Sequence, residues 1–280
     1  MTLRVGAREE IDPEKPQSHD VALVLTREFN QLGMLDLIGL EIRSPYIKTA
    51  LRKVVKTYPD VCFETRGPIT LYNEPRCLFH YRKELQLYSE KLSDPKAKQH
   101  VTFCLKYASK ALQKEINIYE KMMQNVGVLP GLEYLILWMA FKPGDLIYHR
   151  HRDGKDIIVR FVSMERERRY REDMTVDDCW LIKGERITCI GKNFDYTYRY
   201  GKIRQYDGYR PLTELNWYPF EYHKDKYQVT QKILARSKVY ISLAGIHYRY
   251  YDGAARIYPR QAKFTNDWQS RSVRTSVPNQ

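Results

Sequence analysis

The sequence predicts an α+β protein: a helical region packed on a mainly antiparallel, barrel-like β region. Three observations carry this. Apolar residues recur every three or four positions through most of the first half, the signature of amphipathic helices. Beyond residue 140 the period drops to two, as half-buried strands require. Between the halves lies the most apolar run in the chain, residues 132–148 (LEYLILWMAFKPGDLIY). Its apolar part is about half the 20 residues that span a bilayer, so it reads as a buried seam, and no membrane contact is expected.

The organisation that follows is a disordered leader over 1–20, a hairpin plus helical region over 21–139, a β-rich region over 140–273 and a tail over 274–280. Residues 1–20 are charged and contain Pro13 and Pro16, with no apolar core that would make a signal peptide. Residues 21–29 and 35–42 read as two strands around a turn at 31–33. Ser44-Pro45 opens the first helix, because serine caps free N–H groups and proline suits the first helical position. Pro75 opens a second helix running to about Leu92. Asp94-Pro95 opens the strongest periodic run: Ala97, Val101, Cys104, Ala108, Leu112, Ile116, Tyr119 and Met123. Pro143-Gly144 then demands a turn.

In the second half, residues 156–164 read as a strand. The mixed charges that follow, Arg166, Arg168, Arg169 and Arg171 among Glu165, Glu167, Glu172 and Asp173, read as an exposed loop. Residues 179–190 suggest a hairpin about Lys183-Gly184. Residues 224–239 read as an amphipathic helix with Val229, Ile233 and Leu234 inward. The last strands are expected at 246–251 and 256–258.

The chain carries a net charge of +13 and five cysteines without a C-x-x-C pair. Widely spaced, odd-numbered thiols suggest a reduced, intracellular protein, cytoplasmic or nuclear. The basic excess is spread along the chain; it favours acidic partners in general and points to none in particular.

Five segments, in order, carry a resemblance: IRSPYIKTALRKVVKTYP (42–59), LFHYRKEL (78–85), LWMAFKPGDLIY (137–148), WYPFEYH (217–223) and SLAGIHYRYYDGAA (242–255). Together they resemble the uncharacterised region that precedes the ATPase module in a group of fungal AAA+ ATPases. The family-motif positions are Ser44, Pro45, Trp138, Pro143, Gly144, Tyr218, Pro219, Gly245, His247, Tyr248 and Gly253. The resemblance implies an accessory, protein-interaction domain that recognises a client or adaptor, or works beside an AAA+ ATPase module.

No phosphate loop accompanies it. G-x-x-x-x-G-K-[ST] is needed to cradle a nucleotide phosphate. Gly154-Lys155, Gly191-Lys192 and Gly201-Lys202 are followed by Asp156, Asn193 and Ile203, and His149, Arg186 and Tyr196 stand where the first glycine belongs. ATP hydrolysis by this sequence is therefore not expected, and no cofactor is implied. His149-Arg150-His151 has ligand spacing, but Arg150 and Arg152 would repel a cation, so no metal site is assigned. Nor does any serine or cysteine stand in a nucleophile motif, so no catalytic residue is assigned.

The competing function is binding of single-stranded nucleic acid. Phe194, Tyr196, Tyr198 and Tyr200 alternate with Asp195, Thr197 and Arg199, so the rings share one strand face. Tyr196, Tyr198, Arg199, Tyr200 and Arg204 are the candidate contacts, since such binders stack bases on rings and meet phosphates with cations. The bland reading of the same four rings is a sheet or barrel core.

Overall fold

The computed structural model describes residues 2–3, 21–123, 127, 129–151, 154–170, 176–190 and 193–242. It holds helices and antiparallel sheets arranged around two hydrophobic cores.

The first core belongs to the N-terminal half. Strands β1 (Thr2–Leu3), β2 (Leu23–Phe29), β3 (Leu35–Ile42) and β4 (Ile69–Tyr72) form one antiparallel sheet in chain order. The two residues of β1 pair with Glu28 and Arg27, within the stretch read as a leader. The β2–β3 turn is fixed by Asn30, whose side chain accepts from the Leu32 and Met34 N–H groups, and by Gly33 at φ +73°. Leu40, Ile42, Ile69 and Leu71 point from this sheet onto Ile47, Ala50 and Leu51 of helix α1 (Pro45–Val54). The opening hairpin thus packs with the helices.

Ser44 and Pro45 start α1 as the sequence predicts. The Ser44 hydroxyl accepts from the Ile47 N–H at 3.4 Å and also bonds His100 Nδ1 at 2.9 Å. Asp94 caps α4 (Pro95–Ala111) in the same manner, accepting from Lys96 N–H at 2.9 Å.

Two expected long helices are broken. The second is α2 (Arg76–His80) and α3 (Arg82–Glu90), interrupted at Tyr81. The run over 97–123 is α4 followed by α5 (Gln113–Met123), interrupted at Leu112 with φ −107° and ψ 22°. In both cases the break re-aims the chain. Val101, Cys104 and Ala108 face the first core, whereas Leu112 and Met123 face the second; Cys77 and Leu78 face the first, Phe79 the second.

The second core begins at the seam. Strand β5 (Gly131–Glu133) leads into a 3-10 helix, Tyr134–Ala140, and the chain turns at Pro143-Gly144, with Gly144 at φ +95°. Four longer or shorter strands follow, β6 (Leu146–Arg150), β7 (Asp156–Tyr170), β8 (Val176–Ile190) and β9 (Asn193–Arg204). Then come β10 (Tyr209–Pro211), which pairs with β5, and β11 (Trp217–Pro219). The five-stranded sheet runs β11-β6-β7-β8-β9, all antiparallel neighbours. Helix α6 (Lys226–Ser242) closes the described chain.

This sheet does not close into a barrel. Its two ends approach, but through side chains: the Asn216 amide donates to the Lys202 carbonyl at 2.9 Å, and the Trp217 indole lies against Gly201. The indole covers the inner face of β9 at Gly201, and no ladder joins β11 to β9 among the described residues.

Three further readings are corrected. Residues 165–170 are the outer half of β7, not a loop, because their arginines meet acids across the ladder; Arg168 stands opposite Asp178. Lys183-Gly184 is no turn but mid-strand in β8. A Cβ on Gly184 would sit 2.4 Å from the Val159 side chain, so glycine here admits a close β7–β8 approach. On α6 Val229 is buried and Ile233 packs on the core, but Leu234 is 51% exposed. The expected strands at 246–251 and 256–258, with Gly245, His247, Tyr248 and Gly253, lie outside the described residues.

Candidate functional site

The β8–β9 hairpin positions the aromatic row. Its register pairs Ile187 with Tyr196, Glu185 with Tyr198 and Lys183 with Tyr200. Directly opposed residues share a face, so these side chains and those of Phe194, Lys202 and Arg204 line one side of the sheet. Phe194, Tyr196, Tyr198 and Tyr200 are 52%, 53%, 50% and 67% exposed. They are not a core. The inward set on the same strands is the alternate one, Ile203 and Gly201 with Trp180 and Ile182, and it fills the interior with the indole of Trp217. Towards the hairpin tip β7 pairing ends at Arg160 opposite Glu185. The last part of the hairpin is therefore a two-stranded ribbon.

Rings two residues apart on one strand stand about 7 Å from each other. Cations sit among them. Lys183 Nζ lies 4.2 Å from the Tyr198 ring centre, and the Arg160 guanidinium 5.7 Å from that of Tyr196. Arg160 also pairs with Glu185 at 2.6 Å, and Lys202 with Glu167 at 3.4 Å. Lys183 and Arg204 have no carboxylate partner among the described residues. Of the sequence candidates, Tyr196, Tyr198, Tyr200 and Arg204 come together on this outer face. Arg199 does not; it belongs to the opposite face, opposite Gly184.

A buried polar hub anchors the β7–β8 side of this surface from within. The Asp178 side chain is 2% exposed. It accepts from Arg166 Nε at 2.9 Å, Arg168 Nε at 3.1 Å and the Tyr134 hydroxyl at 2.7 Å. The hydrogen bonds from Arg166, then from Tyr134 and Arg168, hold its carboxyl well below the usual carboxylate range despite burial.

At the seam, a cavity of about 270 Å³ is lined by Tyr58, Arg76, His80, Trp138, Phe161 and Met164, among others. His80 Nε2–H donates to the Trp138 carbonyl at 3.1 Å, so its Nδ1 accepts from the Tyr58 hydroxyl at 2.9 Å. Burial, reinforced by Lys142, Arg76 and Arg82, pushes the His80 pKa down to about 3 against the Trp138 bond that raises it. His80 is thus held neutral. Since its folded pKa lies below the unfolded value of about 6.5, its contribution is fully present above pH 6.5 and is lost as pH falls towards 3. Urea unfolding at pH 7 and pH 5 should show stability falling by up to about 1.4 kcal/mol per pH unit from this group. His80→Gln should lose that part of the slope; an unchanged slope would assign the acid sensitivity elsewhere.

A domain of unknown function (DUF7025) matches residues 130–224. The matched stretch begins just before β5 and ends after the 3-10 turn Phe220–Tyr222, so it contains the seam and every strand of the five-stranded sheet. The aromatic row, the Asp178 hub and the Trp217–Gly201 contact all fall inside it, while helices α1 to α5 fall outside. The match carries neither an activity nor a link to an ATPase. No curated protein and no solved structure matches the chain.

The family-motif residues that are described serve structure. Ser44 and Pro45 begin α1, Pro143 and Gly144 make the seam turn, and Trp138, Tyr218 and Pro219 are buried. Arg76 lies over Trp138 at 5.1 Å and over Trp180 at 5.6 Å, tying α2 to the sheet. His149 donates to the Asn216 carbonyl at 3.0 Å and stacks on Trp217 with centres 4.3 Å apart. Sequence reading missed Asp178 and Trp217 as organising residues. Asp178 stands in no motif, and Trp217 opens the WYPFEYH segment with nothing there to signal its contact with Gly201; the fold reveals both.

Proposed function

We propose that this chain is a non-catalytic binding module whose outer β9 face stacks the bases of single-stranded nucleic acid. The supporting observation is the exposure of four aromatic rings in one row, with Lys183 and Arg204 beside them. Exposing that much aromatic surface is costly unless a partner covers it, and base stacking on such rings contributes about 1–3 kcal/mol per base. Glu167 and Glu185 lie on the same face and already engage Lys202 and Arg160. Two to four phosphates is therefore the contact expected.

Fluorescence anisotropy with a labelled single-stranded oligonucleotide tests this. Micromolar binding is expected at low salt, with log K falling against log salt at a slope of about −1.4 to −2.8. Tyr196→Ala, Tyr198→Ala and Tyr200→Ala combined should weaken binding at least a hundredfold. Absence of binding at low salt, or equal binding by the triple variant, would defeat the reading.

A second reading is favoured by the five ordered segments of resemblance: an accessory region that recognises a protein client or adaptor, or positions an AAA+ ATPase ring. Tyrosine and arginine enrichment suits protein interfaces as well. Its mark would be capture of a protein partner that depends on the same rings and changes little with salt.

A further inference from the structure

The inner face of the β8–β9 ribbon carries a different chemistry from the ring face. Arg186 stands directly opposite Thr197, and Arg199 lies two residues further along β9 on the same side, a diagonal neighbour at about 7 Å. Helix α6 reaches this face: the Tyr240 hydroxyl lies 3.4 Å from Thr188 Oγ1, and Arg236 donates to the Asp156 carbonyl at 2.8 Å. We propose that Arg186, Arg199 and Arg236, with the Thr197 hydroxyl, form a binding site for a phosphoryl group.

Two independent observations support it. First, the guanidiniums gather without compensation: among the described residues no carboxylate pairs with Arg186, Arg199 or Arg236. Burial first, then the charges of Arg199 and Arg236, hold Arg186 below the ordinary guanidinium range, with Tyr240 acting the other way. The same field reaches His149, which is lowered by burial first and by His151 and Arg199 as well. Second, Thr197 Oγ1 is buried and has no hydrogen-bond partner. A buried hydroxyl left unpaired is costly, and this one faces the same space as Arg186. Asp195 shares the face and accepts from the Tyr196 N–H at 2.7 Å, but it stands opposite Thr188 and forms no ion pair with the three arginines among the described residues. Planar guanidinium forks and a hydroxyl donor suit the tetrahedral oxygens of a phosphate better than a single carboxylate.

The site is separate from the ring face and stands or falls without it. The test is thermal unfolding of the full chain with inorganic phosphate titrated against chloride at constant ionic strength. A saturable rise in Tm is expected for wild type. Arg199→Gln and Thr197→Val should each weaken the apparent phosphate affinity at least tenfold. Both variants should unfold in phosphate-free buffer no earlier than wild type, since each removes an uncompensated group. No saturable rise in wild type, or an equal rise in both variants, overturns the site; so does early unfolding of both variants without phosphate. Oligonucleotides with and without a 5′-phosphate separate the sources. Tighter binding of the phosphorylated one, lost in Arg199→Gln, assigns the site to a nucleic-acid end; equal binding beside a saturable phosphate response assigns it to a small phosphate.

Discussion

Asp178→Ala should destabilise the protein by about 3–5 kcal/mol, the usual cost of removing one partner from a buried ion pair. The loss comes from what remains. Arg166 would be left facing the interior with the Tyr134 hydroxyl, and Arg168 would lose its contact with the same carboxylate. The arginine side chains are 30% and 51% exposed, whereas the carboxylate that they meet is 2% exposed. Asp178→Asn keeps the shape and part of the hydrogen bonding, so it should cost less than alanine. Urea unfolding at pH 7 measures both, and a loss below about 1 kcal/mol for alanine would put the hub in the class of exposed pairs. The pH dependence has a definite sign. The folded pKa is depressed, so the contribution is present above the unfolded value of about 3.9 and is lost as pH falls through the folded one. His80 acts over a higher window, from about 6.5 downward, so the two groups can be separated by where the slope begins.

The hub also explains what the sequence conceals. Arg166, Arg168 and their acidic neighbours read as a solvated loop because charge alternation along the chain mimics local pairing. The partner that decides their structure is ten to twelve residues away, on the neighbouring strand. Local signals survive where the cause is local. Ser44-Pro45 and Asp94-Pro95 begin helices because a side-chain oxygen meets N–H groups within three residues, and Pro143-Gly144 turns because Gly144 accepts a positive φ. Gly184 misleads for the opposite reason. Glycine beside lysine suggests a turn, yet its use is to make room for Val159 on another strand.

The candidate site divides along the same line. Period two alone places Phe194, Tyr196, Tyr198 and Tyr200 on one side of a strand. Which side meets solvent is decided by Trp180, Ile182 and Ile203, and by an indole more than ten residues beyond β9. Four rings in alternation carry more apolar surface than the set Asp195, Thr197, Arg199 and Gly201, so the sequence pattern favours them as core. At Tyr198 and Tyr200 β7 still flanks β8, but the interior on the other face is already filled by Phe161, Ile182 and Trp217, so the rings face outward.

Trp217→Ala should cost about 3–5 kcal/mol, as large buried aromatics do when truncated, and it should do so by opening the sheet rather than by local loss alone. The indole is 4% exposed, stacks on His149 and fills the space where a Gly201 side chain would stand. A Cβ on Gly201 would come within 2.2 Å of the ring, so Gly201→Ala should by itself cost about 1–3 kcal/mol through overpacking. In the Trp217→Ala background that penalty has no cause. A double-mutant cycle should therefore give a coupling close to the whole Gly201→Ala cost, where independent sites would simply add. Additive losses would mean that the indole moves aside without consequence and that other contacts hold β11 to β9. Strong coupling would identify this single contact, with the Asn216–Lys202 bond beside it, as what sets the curl of an unclosed sheet. That curl turns the inner face of β9 towards the core and its rings towards solvent, so the double variant should also change access to Tyr198 and Tyr200 in tyrosine-fluorescence quenching.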